Sequence, residues 1–234
     1  MSHPQFDDFY RSIKLDDHYI SRSSNEYVTE NIYKRSDTIL SKLVKQEAPR
    51  RSQFMVITTG STSPPITRYE NRSWAIFIEN SSCGKEINIM IPVTEPLTDA
   101  DDLWYPILLK GKRKGHYMLL IETVDRFILF DPNFDLVFFS GFPGDELLTA
   151  IKNAVALKDP SKTFVRLMHN SFNDTCKFMY DRGQCGPWSI LIAHMGYCMD
   201  IDYQSIIDTL NKLDLHDRTE LIYKYSGFIY CHLV

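Results

Sequence analysis

The sequence predicts an α+β protein: a central mixed β-sheet flanked by helices. Three observations predict it. Short β-rich runs recur at residues 54–59, 87–93, 116–121 and 127–131. Apolar residues fall at helical spacing over 26–46 and again over 144–157. Glycine, proline and aspartate punctuate the runs, and the strand and helix patterns alternate along one chain.

The elements are taken in order. Residues 1–14 are a polar lead-in with aromatic anchors, followed by Leu15-Asp16-Asp17-His18-Tyr19-Ile20, where Asp16 or Asp17 suits a helix cap. Ile32, Ile39, Leu40, Leu43 and Val44 recur among charges and predict a helix from Glu26 to Gln46, closed by Pro49-Arg50-Arg51. Phe54 to Thr59 is a strand stopped by Gly60, and Ser61 to Pro65 is a loop by composition. Trp74 to Ile78 is strand or helix end, and Ile87 to Val93 alternates as a strand. Residues 95–115 are polar and close in the basic run Lys110-Gly111-Lys112-Arg113-Lys114-Gly115, which is expected to be solvated surface.

The next block is the most regular. His116 to Ile121 is a strand, Asp125-Arg126 fits a turn, and Phe127 to Asp131 is a second strand ended by Pro132-Asn133. Leu136 to Phe139 is a candidate third. Gly144-Asp145 opens a helix through about Leu157, with Leu147, Leu148, Ile151, Ala154 and Val155 on its apolar face. Phe164 to Met168 is another strand, and a polar loop from about His169 leads to Gln184. Helices are then expected from Cys185, near Tyr203–Leu213 and near Asp217–Tyr225. No repeat, low-complexity tract or linker forces a second domain. The chain reads as one domain over 1–234, with an N-terminal helical portion to about 50, a core over about 51–200 and C-terminal helices beyond.

Composition narrows the function classes. Of the 234 residues, 44% are hydrophobic and 24% charged, which fits a folded chain. The net charge of −4 gives no electrostatic reason to expect nucleic acid as a direct partner. No apolar run approaches the roughly 20 residues that a membrane span requires. The polar, acidic start does not resemble a signal peptide. The five cysteines, Cys83, Cys176, Cys185, Cys198 and Cys231, are odd in number and scattered, which points to a reducing compartment, cytoplasmic or nuclear. No Cys-x-x-Cys pair exists, so a structural zinc site is not expected, nor any metal or cofactor. The sequons at Asn71, Asn80 and Asn173 read as incidental.

One stretch stands out: Gly183-Gln184-Cys185-Gly186-Pro187-Trp188-Ser189-Ile190-Leu191-Ile192. A glycine-bearing loop delivers a cysteine and an apolar helix begins at once, with Pro187 suited to its first turn. A thiol there feels the positive end of the helix dipole, which favours thiolate. The bland reading is packing, since cysteine is among the most buried residue types. A thiol hydrolase also needs an imidazole and an orienting acid. His116 starts one strand and Asp131 ends the next, so a hairpin turning at Asp125 brings the two together at one sheet edge. The alternative is a strand-end histidine and an ordinary Asp-Pro turn.

The order of these pieces resembles the cysteine protease clan of the ubiquitin-like-protein (SUMO) proteases and the adenovirus proteinase, which is papain-like with His-Asp-Cys order. Ile89-Met90-Ile91-Pro92-Val93 resembles the apolar strand before the catalytic histidine. Gly115-His116-Tyr117-Met118-Leu119-Leu120 resembles the histidine strand, and Phe127-Ile128-Leu129-Phe130-Asp131 the acid-bearing strand. Gln184-Cys185-Gly186 resembles the Asp-Cys-Gly segment, and Leu15-Asp16-Asp17 an N-terminal element before the substrate groove. The resemblance spans about residues 15–200. It departs where the family carries a glutamine as oxyanion donor: Met179 stands six residues before Cys185, and Gln184 lies beside the nucleophile instead.

The resemblance implies a catalytic set of His116, Asp131 and Cys185, with Gln184 or backbone N–H groups at the oxyanion. It implies a protein substrate, either a conjugate of a ubiquitin-like modifier with a Gly-Gly-type tail or a viral polyprotein. Trp74, Trp104, Trp188 and His18 are candidate walls of a substrate tunnel or partner contacts, with ordinary core packing as the alternative for each tryptophan. Two other readings share the order: an acetyltransferase of the YopJ type using the same triad, and a non-catalytic binding homologue.

Overall fold

The structure is a computed structural model. It describes residues 4–20, 39, 42–43, 55–58, 67–68, 73–80, 85–92, 103–110, 115–132, 148–149, 151–153, 155–156, 159–168, 184–199 and 201–233, with backbone alone between 55 and 117. The chain divides into two compact units. One comprises Met1–Glu47, Pro132–Phe134 and Leu167–Val234; the other comprises Ala48–Asp131 and Asp135–Arg166.

The second unit holds every described strand: β1 (Met55–Thr58), β2 (Thr67–Arg68), β3 (Ser73–Asn80), β4 (Lys85–Pro92), β5 (Leu103–Lys110), β6 (Gly115–Glu122), β7 (Arg126–Phe130) and β8 (Thr163–Arg166). They form a mixed sheet in the order β2-β1-β3-β4-β5-β6-β7-β8. From β3 to β7 each strand runs antiparallel to the next, whereas β1 pairs parallel with β3 and β7 parallel with β8. Together with the helices this makes the chain α+β with a mixed sheet. Trp74 to Ile78 is therefore strand. Residues 95–115 do not stay polar loop as expected, because β5 occupies Leu103–Lys110. Pro106 breaks the pattern that a strand reading relies on, since proline cannot donate to a ladder. The β4–β5 register runs through Asn88↔Lys110, four residues beyond Pro106. The basic run opens at Lys110↔Gly115, where the β5–β6 hairpin closes.

Among the described side chains of this unit, those of β6 and β7 form the core. Met118, Leu119, Leu120, Ile121, Phe127, Leu129 and Phe130 have no exposed surface. Consecutive burial means that both faces of these strands are covered, which is why their sequences read as unbroken apolar runs. Their turn is closed by side chains. The Thr123 N–H donates to the Arg126 carbonyl at 2.9 Å, and the Arg126 N–H donates to Thr123 Oγ1 at 3.1 Å. The Arg126 guanidinium bonds both carboxylate oxygens of Asp125 and, with the Thr123 hydroxyl, holds that carboxyl below the usual range. β8 alternates exposed and half-buried, as suits its place at the end of the strand order. The described residues between 148 and 156 are helical, with Ile151 and Val155 buried one turn apart.

The first unit is helical: α1 (Pro4–Ser12), a single 3₁₀ turn at Leu15–Asp17, α2 (Cys185–Cys198), α3 (Tyr203–Asn211) and α4 (Leu215–Leu233). Ile39 is helical and buried; the rest of the expected 26–46 helix falls largely outside the described residues. Residues 1–14 are not merely a lead-in, since α1 buries Phe6 and Phe9, one turn apart. Lys14, with φ 49° and ψ 48°, takes the left-handed conformation that ends helices. Asp16 and Asp17 do not cap a helix: they lie inside the 3₁₀ turn, and the chain leaves it extended at His18. Asp16 instead pairs with Lys224 of α4 at 2.7 Å.

α3 buries Tyr203, Ile206, Ile207 and Leu210, the i, i+3, i+4, i+7 stripe of an amphipathic helix, and the Asp202 carboxylate caps its start by accepting from the Ser205 N–H. Asp214 caps α4 through the Asp217 N–H at 2.8 Å. α4 runs to Leu233, well past the expected end near Tyr225. Two helix glycines mark close approaches. A Cβ at Gly196 would overlap the Tyr203 ring, and one at Gly227 would lie 3.0 Å from the Tyr19 backbone nitrogen. The segment Leu136–Phe139 lies outside the described residues.

Candidate active site

Cys185 is the first residue of α2, with Gln184 as N-cap and the Trp188 N–H closing the first helical bond on the Gln184 carbonyl at 3.0 Å. Gly186 and Pro187 complete the opening turn, where the missing proline N–H costs nothing. All residues from Cys185 to Met195 are buried, so this part of α2 has no solvent-facing side, whereas Tyr197 and Cys198 at its end are exposed. Cys185 itself is 3% exposed and in no disulfide. The positive end of the helix dipole lies at its position. Cys198, at the far end of α2, and Cys231, on α4, are exposed thiols; partial burial pushes the Cys198 thiol up.

The Gln184 side chain is buried, and the Ser226 hydroxyl of α4 lies 3.4 Å from its Oε1. Ser226 also donates to the Ile222 carbonyl at 2.7 Å. The start of α2 thus lies against the middle of α4. Trp188 is fully buried, as core packing requires, while Trp74 lies in β3 and Trp104 in β5. His18 packs edge-on against Phe228 and His232, at centroid separations of 5.6 and 4.9 Å.

His116 and Asp131 belong to the sheet unit. The β6–β7 register pairs Leu119 with Phe130 and Leu120 with Leu129. Asp131 follows directly on β7, and His116 is the second residue of β6, so both positions lie at the same end of the hairpin, opposite the Thr123–Asp125 turn. Asp131 is completely buried, and its carboxylate faces the Arg166 guanidinium at 3.6 Å. Cys185 belongs to the helical unit.

Three polar arrangements lie beyond what the sequence reading singled out. The first is Arg166, the partner of Asp131. The second is the buried pair Lys162–Glu122 at 2.8 Å, in which Lys162 also donates to the Thr123 carbonyl at 2.9 Å and covers the Phe127 ring at 5.4 Å. The third is His194 on α2, whose Nδ1 lies 3.1 Å from the Tyr225 hydroxyl and whose ring stacks on Phe228. Burial lowers the His194 pKa to about 4. Its one signal in sequence is a lone histidine within an apolar helical run.

Among the described residues no cluster of His, Cys, Asp or Glu is placed to hold a metal ion. No described helix is long and apolar enough to cross a membrane. No protein-family model matches the chain, and no curated protein matches it in sequence.

Proposed function

We propose that this chain is a cysteine peptidase that hydrolyses a peptide or isopeptide bond, with Cys185 as nucleophile, His116 as general base and acid, and Asp131 as the group that orients the imidazole. The observation that carries the reading is the hairpin register, with His116 and Asp131 at one end of β6–β7. An imidazole beside a carboxylate is held in one tautomer, and its cation is stabilised. The position of Cys185 at the head of α2 adds a second support, since an anion is favoured there.

In the proposed mechanism the Cys185 thiol gives its proton to His116, and the thiolate attacks the carbonyl carbon. The N–H groups that open α2 receive the oxyanion. Gln184 is the other oxyanion candidate, through its Nε2 amide group, and its Oε1 lies 3.4 Å from the Ser226 hydroxyl. Collapse of the tetrahedral species breaks the C–N bond, and the imidazolium protonates the leaving amine. Water, deprotonated by the imidazole, then hydrolyses the thioester and restores the thiol. A nucleophile only 3% exposed suits a substrate that arrives as a thin chain, such as the Gly-Gly tail of a ubiquitin-like modifier, more than a bulky side chain. The reducing interior of a cell, cytoplasm or nucleus, suits such a thiol.

The test is a panel of ubiquitin-like proteins carrying C-terminal thiol-reactive warheads, applied to the native protein and to Cys185→Ala. Covalent labelling that disappears in Cys185→Ala and weakens strongly in His116→Ala is expected. An inert panel combined with Cys185-dependent acetyl transfer from acetyl-coenzyme A would overturn the peptidase in favour of an acyltransferase. Inertness in both assays would leave a binding protein.

A further inference from the structure

Resting on that peptidase reading, we infer that Arg166 is a positioning residue of the active site, acting through Asp131. Asp131 has no exposed surface, and a carboxylate taken out of water stays ionised only where charge or hydrogen bonds replace the lost hydration. Arg166 supplies the charge. Its Nη2 lies 3.6 Å from Asp131 Oδ2, a distance of Coulombic contact rather than of a direct hydrogen bond. The placement follows from the sheet. β8 runs parallel to β7 with Leu129 opposite Arg166, so Asp131 lies two residues further along, on the face that Arg166 shares by strand alternation. Arg166 retains 22% side-chain exposure, so its own charge stays partly hydrated while it neutralises a carboxylate that is not.

The consequence for chemistry is directional. An anionic Asp131 raises the basicity of the imidazole it orients, and with it the share of Cys185 held as thiolate at neutral pH. Removing the guanidinium takes positive charge away from a buried carboxylate and so disfavours its ionised form, and a neutral Asp131 supports the imidazolium less. Arg166 thus reaches the nucleophile through two intermediaries, without itself touching substrate.

The experiment needs no substrate. The rate of Cys185 alkylation by iodoacetamide is measured between pH 5 and 9 by peptide mass spectrometry, with Cys198 and Cys231 as internal controls. Arg166→Met is expected to slow Cys185 at pH 6–7 by about tenfold, the effect of one pKa unit, and to move its profile upward while leaving the control thiols unchanged. Arg166→Lys, which keeps the charge, is expected to recover most of the rate. In an Asp131→Asn background Arg166→Met should add no further loss. If Arg166→Met fails to fold, Arg166→Gln replaces it. A native profile indifferent to His116→Ala would overturn the peptidase reading and this inference with it. A His116-dependent native profile that Arg166→Met leaves unchanged would overturn the inference alone. So would equal losses in the Met and Lys variants, or losses that add to Asp131→Asn, since those mark a merely structural arginine.

Discussion

The Lys162 ammonium lies 2.8 Å from the Glu122 carboxylate, with the two side chains 7% and 1% exposed. Glu122 ends β6 and Lys162 directly precedes β8, so the pair ties together two strands that both flank β7. Burial raises what is lost when one partner goes, because the other charge then loses its opposite charge in a dry site. Lys162→Met is expected to destabilise the fold by about 3–5 kcal/mol. The double variant Glu122→Leu/Lys162→Met should lose much less, because both charges of the pair are gone. Urea unfolding of the three proteins checks this, and additive losses would show that the pair is not coupled.

His194 sets an acid limit. Its pKa in the fold is about 4 against an ordinary 6.5, with burial as the cause. Between those values the unfolded chain binds a proton that the folded chain refuses, so stability is complete above about pH 6.5 and falls as the pH drops toward 4. The shift corresponds to about 3 kcal/mol in all. His194→Phe, which can keep the stacking on Phe228, should flatten this limb. Denaturant midpoints at pH 7, 6 and 5 give the comparison, and an unaltered slope in the variant would assign the acid loss elsewhere.

Gly227 is expected to resist replacement in spite of its helical position. Alanine improves helix propensity by about 1 kcal/mol. Its Cβ would meet the Tyr19 backbone at 3.0 to 3.3 Å, and backbone cannot swing aside. Gly227→Ala should therefore lower stability by about 1–3 kcal/mol, as overpacking does, and should loosen the segment that follows the 3₁₀ turn. Hydrogen exchange at residues 15–20 reports the second effect, and a melting temperature equal to or above the native one would contradict the first.

A smaller effect is expected at the start of α3. Asp202→Ala removes the oxygen that accepts from the Ser205 N–H, and about 1 kcal/mol should go with it. The Asp202 carboxyl is held below its usual range chiefly by the Ser205 hydroxyl, so this contribution is present at neutral pH and is lost as pH falls through the lowered folded value. Thermal melting at pH 7 and pH 3 should show the difference between native and variant shrinking at the lower pH.

The legible parts of the fold are those that local sequence determines. β6 and β7 announce themselves by unbroken apolar runs about a turn of Thr, Asp and Arg, and α2 by a Gly-Pro opening followed by apolar residues. α1 escapes this kind of reading because nine residues with two phenylalanines have little helicity alone. It forms by packing, with Phe9 edge-on to His194 at 5.1 Å. β5 escapes because Pro106 interrupts it, and the last turns of α4 because Gly227 looks like a stop. The same division holds at the candidate site. Cys185, His116 and Asp131 were legible as residue types at element ends. Arg166 was not, because its relation to Asp131 depends on a parallel β7–β8 register that no short stretch encodes.

The two-unit division has a consequence for the order in which the protein can be made. The helical unit draws on both flanks of the chain, whereas the sheet unit comes almost entirely from between them. Asp16 and Lys224, which hold each other in the finished molecule, are 208 residues apart. On a ribosome the sheet can therefore settle while α1 still waits for α2 and α4. The residues that precede the sheet are made before it and placed after it.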